Sequence, residues 1–445
     1  MSTRSTIMDS NSFRADDAAG LPDGLKELTD RRAVLGGAYR LFYRTPVHLV
    51  RGEGQYLFDA DGRKYLDMYN NVASLGHAHP AVVEAVTAQM QQLNTHTRYL
   101  HTAILDYSDE ILATMPEALD RIMFMCTGSE ANDLAIRVAR EYTGGQGIIV
   151  TRESYHGTSA LTSGHSPALG SGQPIDPTAR LVDAPDAYRA GTEDIGRVFA
   201  DRIAAAIADM RAAGIPFAGV LADSIFSSDG VFADAPGLLQ PAIELVHAEG
   251  GVWIADEVQP GFGRTGDSFW GFARHDVVPD LVTMGKPMGN GIPVSGMAAK
   301  DEVLRAFTDQ LPYFNTFGGN PVSMAAARAV LTVIREEELQ ERAKRVGAEF
   351  RAALAEIATR HEAIGDIRGA GQFTGLELVL DRTTKEPASA LALDLLEQLR
   401  ERGVLTSTAG PHANVLKLRP PLAFGSEDID WAVSAIDEGL SALGA

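Results

Sequence analysis

Hydrophobic and polar positions change period several times along the chain. Between residues 47 and 70 the segment VHLVRGEGQYLFDADGRKYLDMYN alternates apolar and polar residues around two turn signals, Gly52-Glu53-Gly54 and Asp61-Gly62, which predicts a small antiparallel meander. From Pro80 to Leu93 the apolar residues Val82, Val83, Val86 and Met90 recur at helical spacing, and Pro80 suits a first helical turn. Short apolar runs follow, RIMFMC, GIIVT, FAGVLAD, GVWIAD and DLVTMG, separated by helical patterns such as SEANDLAIRVAREY and APGLLQPAIELVHAEG. Near-continuous apolar strands alternating with helices predict a parallel sheet covered on both faces. A long helical pattern runs from Pro321 towards Ile357, and the rest of the chain mixes strands (FTGLELVL, NVLKLRPPL) with two helices. The expectation is an α/β protein with a large domain over 61–320 and a smaller α+β domain, built from an N-terminal segment 1–60 and a C-terminal part 321–445.

Composition narrows the class. With 445 residues and 45% apolar content the chain can bury a large core, which excludes disordered and fibrous classes. The 39 basic and 59 acidic side chains leave a net charge of −20, which disfavours attraction to nucleic acid or an anionic membrane surface. One cysteine makes no intramolecular disulfide. No apolar run is long enough for a membrane span. The first twenty residues lack a signal-peptide core and read as a loose leader, so a cytoplasmic protein is expected.

Three motifs could carry chemistry. The strand RIMFMC runs through Thr127-Gly128-Ser129-Glu130 straight into a helix, and such a start can hold a phosphate through backbone N–H groups and the helix dipole. It can equally be an ordinary cap, with Ser129 and Asp133 as helix-start residues. In WIADEVQPGFGRTG, Asp256 ends a buried strand, where ligands collect in open α/β sheets. Asp256 and Glu257 should point to opposite sides, a poor arrangement for a metal. In DLVTMGKPMGNG, Lys286 sits in a glycine-rich turn after another strand. This is not a phosphate loop of the Walker type, because Asp280 stands where glycine is required. Taken alone it could be a surface-loop residue, or a lone amine beside an apolar strand with the lowered pKa that suits a Schiff base. A phosphate cradle, a strand-end carboxylate and a strand-end lysine are together the parts that pyridoxal 5′-phosphate (PLP) needs.

Other signals are weaker. His77 and His79 have no accompanying ligand cluster and are expected to be packed or hydrogen-bonded, so no metal is expected. GAGQFTG, from Gly369 to Gly375, misses the dinucleotide fingerprint and precedes a strand. Cys126, in RIMFMC, is expected in the core.

The motifs GHAHP, TGSEAND, YHG, IADEVQPGFGRTG, VTMGKPMGNG, NTFGGNP and GDIRGAGQFTGLELV stand in the order found in class III aminotransferases, which the chain resembles from about Val47 onward. The resemblance implies a fold type I enzyme with PLP as cofactor. It implies that Gly128 and Ser129 hold the cofactor phosphate, that Tyr155 or His156 stacks on the pyridine ring, and that Asp256 pairs with its nitrogen. Val258 would pack on the opposite ring face, Gln259 would approach the phenolic oxygen, and Lys286 would carry the aldimine. Thr316 resembles a threonine that reaches the phosphate from the other subunit, which implies a homodimer, or a dimer of dimers, with shared sites.

Two departures point to a branch. Many family members have an arginine three residues before a Pro-Pro pair to bind a substrate α-carboxylate, and Lys417 stands there in NVLKLRPPL, a point charge in place of a planar clamp. Asp223 stands where glutamate is common. The strings NNVASLGHAHP, LNTHTRYLH and GPHANVLKLRPPL are most similar to phospho-lyases acting on ethanolamine phosphate and 5-phosphohydroxylysine. The implied reaction is elimination of phosphate from a small phosphorylated amine, with ω-amine or amino-acid transamination as the alternative. Lys417 and Arg419 share a strand face and could meet one phosphate. Asn70 and Asn71 could orient that phosphate or cap a turn.

Overall fold

The computed structural model describes residues 11–445 except 193, 234 and 235, and omits the side chains of 15 and 16. The meander is present as β1 (Leu49–Glu53), β2 (Tyr56–Asp59) and β3 (Lys64–Asp67), all antiparallel. The strands β4 (Arg121–Met125), β5 (Gly147–Thr151), β6 (Arg180–Val182), β7 (Phe217–Asp223), β8 (Val252–Asp256), β9 (Leu281–Met284) and β10 (Ser295–Ala299) form one seven-stranded sheet. Its order is β4-β10-β9-β8-β7-β5-β6. All pairings are parallel except those of β10, which runs antiparallel to both neighbours. The five apolar runs are β4, β5, β7, β8 and β9. The apolar pattern does not announce β6 and β10, because one is three residues long and the other, SGMAA, is built from small side chains.

The C-terminal part contributes β11 (Ile364–Ala370), β12 (Phe373–Asp381), β13 (Glu386–Pro387), β14 (Val404–Leu405), β15 (Ser407–Ala409) and β16 (Val415–Leu418), with helices Ser389–Glu401 and Ser426–Ala442. β14 joins the meander in parallel beside β3, so the two ends of the chain share a sheet. They also share a core: Tyr43, Tyr65, Leu66 and Met68 pack with Phe350, Leu376, Leu396 and Leu416. Separate apolar clusters cover the two faces of the large sheet, Trp253, Val282 and Val330 on one and Leu134, Ile254 and Met297 on the other.

Two expectations change. The helical pattern from Pro321 to Ile357 is two helices, Pro321–Glu336 and Leu339–Ala358, broken where Glu338 adopts φ +50°. The break lets Val330 and Ile334 face the large-sheet core while Val346, Phe350 and Leu354 face the other. The leader is not loose from Asn11 onward, since Tyr43 N donates to Asn11 O at 2.8 Å and Phe13 N to Leu41 O at 2.9 Å. Residues 1–10 lie outside the described residues. Among the described residues no helix is long and apolar enough to cross a membrane.

Candidate active site

Parallel strands align their carboxyl ends, and this chain concentrates its chemistry there. Asp223, the last residue of β7, is the register partner of Asp256, the last of β8, and Asp256 is the partner of Thr283 on β9. Lys286 follows β9 by two residues, in a tight turn. Asp223, Asp256 and Lys286 border a cavity of about 330 Å³, lined also by Gly128, Ser129, Tyr155, His156, Val258 and Gln259. Every expected cofactor contact except Thr316 therefore converges. Thr316 is exposed and lies outside the lining of that cavity within one chain.

At one end of the cavity the helix Gly128–Thr143 begins. Its cap is Thr127, not Ser129: Thr127 Oγ1 accepts from Glu130 N at 3.2 Å, and Glu130 Oε2 returns to Thr127 N at 2.9 Å. Ser129 is thereby released to accept from Thr158 N at 3.1 Å, and Asp133 accepts from Ser159 Oγ at 2.9 Å. The first-turn N–H groups of Gly128 and Ser129 cannot reach a helical carbonyl and so remain donors for an anion. The approach is close, since a Cβ on Gly157 would stand 2.5 Å from Ser129 Oγ and one on Gly128 3.2 Å from Val258. Cys126 is not in the core. It lies one residue beyond β4, half-buried, on the cavity wall.

At the other end stands Asp256, buried, with Oδ2 accepting from Asn132 Nδ2 at 2.9 Å and 2.7 Å from His156 Nδ1. Burial alone would raise its pKa, but the hydrogen bond and charge of His156, with the bond from Asn132, hold it below the usual carboxylate value. Asn132 is held in turn by Thr283 Oγ1, which donates to its Oδ1 at 2.6 Å. Asn132 and Thr283 escaped the sequence reading; the only signal was that an asparagine one helical turn past Gly128 faces the sheet. Tyr155 and His156 both line the cavity, and of the two it is His156 that is bonded to Asp256. Glu257 does point away, accepting from Ser224 Oγ and from the N–H groups of Gly271 and Phe272.

Lys286 is half-buried between the two ends. Burial, then the nearby Arg419, lowers its amine to about 8, against the opposing pull of Asp256 and Asp223. A helix start for the phosphate, an ionised carboxylate for the ring nitrogen and a readily deprotonated amine between them fit PLP.

A second cavity, of about 220 Å³, adjoins the first and shares Tyr155, Gln259 and Lys286 with it. Lys417 and Arg419 both line it, with Ser228, Ser407 and Thr408, so the two cations do share a face. Arg419 donates to Gln259 Oε1 at 2.6 Å and Asn71 Oδ1 at 3.0 Å, and its guanidinium lies 4.5 Å from the Tyr69 ring centre. Burial, then Arg419, holds the Lys417 amine well below its ordinary value. Burial likewise raises Asp223, whose carboxylate accepts from Ile225 N and from Ser227. Asn71 reaches this site only through Arg419. Asn70 caps a turn, its Oδ1 accepting from Val72 N at 2.9 Å. His77 bonds Asp67 at 2.8 Å and His79 faces Glu337, so the two histidines diverge.

A mostly parallel sheet with this constellation at its carboxyl edge is the architecture of fold type I PLP-dependent enzymes. The chain belongs to the class-III aminotransferase family, which it matches over residues 42–440, and PLP is its cofactor. Within that family it is 40% identical to alanine–glyoxylate aminotransferase 2 homolog 2, mitochondrial, of Arabidopsis thaliana, covering 94% of this chain and 87% of that one. It is 37% identical to ethanolamine-phosphate phospho-lyase homolog 1 of Caenorhabditis elegans, covering 94% and 93%. A solved phospholyase from Arthrobacter, in complex with phosphoethanolamine, superposes with TM-score 0.89 at 41% identity over 94% of this chain and 99% of the other.

Proposed function

We propose that this enzyme is a phospho-lyase that eliminates phosphate from a small phosphorylated amine, ethanolamine phosphate first among them, to give acetaldehyde, ammonia and phosphate. The observation that carries the reading is the second cavity: Lys417 and Arg419 face it together, flanked by the hydroxyls of Ser228, Ser407 and Thr408, next to Lys286. Two buried cations and three hydroxyls match a phosphate dianion. The phosphoethanolamine-bound Arthrobacter enzyme and the nematode homologue support the same choice.

When bound, PLP supplies an electron sink for the carbon that carries the substrate nitrogen. Gly128 and Ser129 would hold its phosphate, with Thr316 of the partner subunit. Asp256 would keep a proton on the ring nitrogen, Tyr155 and Val258 would flank the ring, and Gln259 would approach the phenolic oxygen. Lys286 Nζ would anchor the cofactor and, once freed by substrate, take the proton from the carbon bearing nitrogen, a task suited to an amine titrating near neutrality. Lys417 and Arg419 would hold the substrate phosphate as the neighbouring C–O bond breaks. Asn71 would orient Arg419.

Thr316 lies between exposed Phe314 and Phe317, and Tyr99 and fully exposed Leu100 add apolar surface, which supports a homodimer with shared sites.

The alternative is a transaminase, supported by the alanine–glyoxylate aminotransferase relatives. Incubation with ethanolamine phosphate and no keto acid separates them. Sustained release of phosphate and acetaldehyde is expected; one half-reaction that stops at pyridoxamine phosphate would establish the transaminase.

A further inference from the structure

Three cavities adjoin one another through shared residues. The second, at the substrate end, shares Phe42 and Tyr69 with a third of about 300 Å³. That third cavity takes no part in the chemistry above. Its wall is largely apolar, with Leu41, Pro46, Val47, Leu49, Leu57 and Leu405. Its polar residues include two already committed elsewhere: Asp67 is bonded to His77 Nε2 and to the N–H groups of Tyr69 and Asn70, and Asn70 caps its turn.

The separation between the two cavities is a pair of rings. Phe42 meets Tyr69 edge to face, with centroids 5.1 Å apart. Tyr69 is fixed, since the Arg419 guanidinium lies over its ring and Asp67 accepts from its N–H at 3.0 Å. The Phe42 ring offers no hydrogen-bonding group and is held by packing, against Tyr69 and against Tyr43 at 6.0 Å. Tyr69 thus belongs to the phosphate end, and Phe42 is the side chain whose removal would join the 220 Å³ cavity that Lys417 and Arg419 line to the largely apolar one of 300 Å³.

We infer that Phe42 is a specificity-determining residue: its ring ends the substrate cavity and limits the carbon skeleton beyond the phosphate-bearing carbon. The ligand class that the third cavity would take is an unbranched alkyl chain on that carbon, as in 1-aminoalkan-2-yl phosphates. The inference rests on the phospho-lyase reading and narrows it to short substrates. The longer homologues would react with the same balance. The C–O bond to phosphate breaks as the adjacent C–H proton is lost, and one water then hydrolyses the enamine, so substrate and water give an aldehyde, ammonia and phosphate.

The test compares kcat/KM for ethanolamine phosphate and 1-aminopentan-2-yl phosphate, read by phosphate release, in the wild-type holoenzyme, F42A and F42L. Each methylene that a pocket admits or refuses changes discrimination by roughly tenfold or more. Wild type should favour ethanolamine phosphate by at least about 100-fold, and F42A should move the ratio towards the pentyl substrate by about tenfold or more. F42L, which keeps an apolar side chain in the core, should move it in the same direction by less, and serves if F42A does not fold. Filling the third cavity in F42A/L57F should reverse the gain. A ratio unchanged in both single variants, with wild-type cofactor absorbance and melting temperature, would overturn the role of Phe42 alone. A wild type that releases phosphate from neither compound would overturn the phospho-lyase reading itself, and this inference with it.

Discussion

His156 Nδ1 lies 2.7 Å from Asp256 Oδ2, with both side chains buried. The pair joins the end of β8 to the loop after β5 through a single carboxylate oxygen, which Asn132 also holds from the helix behind the sheet. The charge on Asp256 survives burial because of these two donors. D256N should therefore lower kcat/KM by about 10²–10⁴-fold, the scale of a positioned proton-holding group. H156F, which removes one charge-assisted bond and touches no reacting atom, should cost about 10–100-fold. Steady-state phosphate release, with the cofactor absorbance spectrum as a check on loading, measures both. Equal losses in the two variants would contradict an indirect role for His156.

Lys286 titrates near 8 before cofactor binds, and only its neutral amine is nucleophilic. Covalent capture of PLP by the cofactor-free protein should thus slow about tenfold per pH unit below that value and level off above it. Stopped-flow absorbance across pH 6–10 would show this, and K286A should bind PLP without covalent attachment.

Burial, then Arg419, lowers the pKa of the Lys417 amine, so the empty cavity favours its neutral form more than water does. A phosphate dianion reverses that balance, and binding should take up a proton. Inorganic phosphate is a sufficient probe: affinity should weaken as pH rises above the second phosphate pKa, and calorimetry in buffers of different ionisation enthalpy should detect the uptake. K417M should lose the uptake and roughly 10–100-fold in affinity. Unchanged proton balance in K417M would place the titrating group elsewhere.

Asp229 accepts from Thr151 Oγ1 at 2.8 Å and Glu153 N at 3.1 Å, yet burial raises its pKa from 3.8 to about 7. The folded state therefore binds a proton that the unfolded state releases. Its contribution to stability is full below about pH 4 and is lost as pH rises to about 7. D229N removes the titration, so the melting temperature of D229N minus that of wild type should increase between pH 4 and 8. A difference independent of pH would refute the shift.

The parts most legible in the sequence were those with local causes. Continuous apolar runs marked β5, β7, β8 and β9, because a strand buried on both faces needs apolar side chains at every position. β10 was not legible, since SGMAA owes its strand to the neighbours β4 and β9 rather than to its own composition. The break at Glu338 was invisible for a similar reason: apolar spacing continues through it, and only the existence of two cores requires the chain to turn.

The same division holds at the site. Sequence by itself determined the chemical groups: a glycine-serine helix start, Asp256 and Lys286 at strand ends, and two cations two residues apart at Lys417 and Arg419. A group's identity, and its place at the end of a strand, follow from local periodicity. Tertiary structure decided what those groups became. It set His156 Nδ1 against Asp256, beside Tyr155 on the cavity wall. It also brought Asn132 under the carboxylate, and left Asn71 bound to Arg419 while Asn70 served a turn. It set Phe42 between two cavities, one lined from the start, middle and end of the chain and the other mainly by residues 40–70. His156 and Asp256, Asn132 and Asp256, and Asn71 and Arg419 meet across 100, 124 and 348 positions, separations that no local pattern encodes.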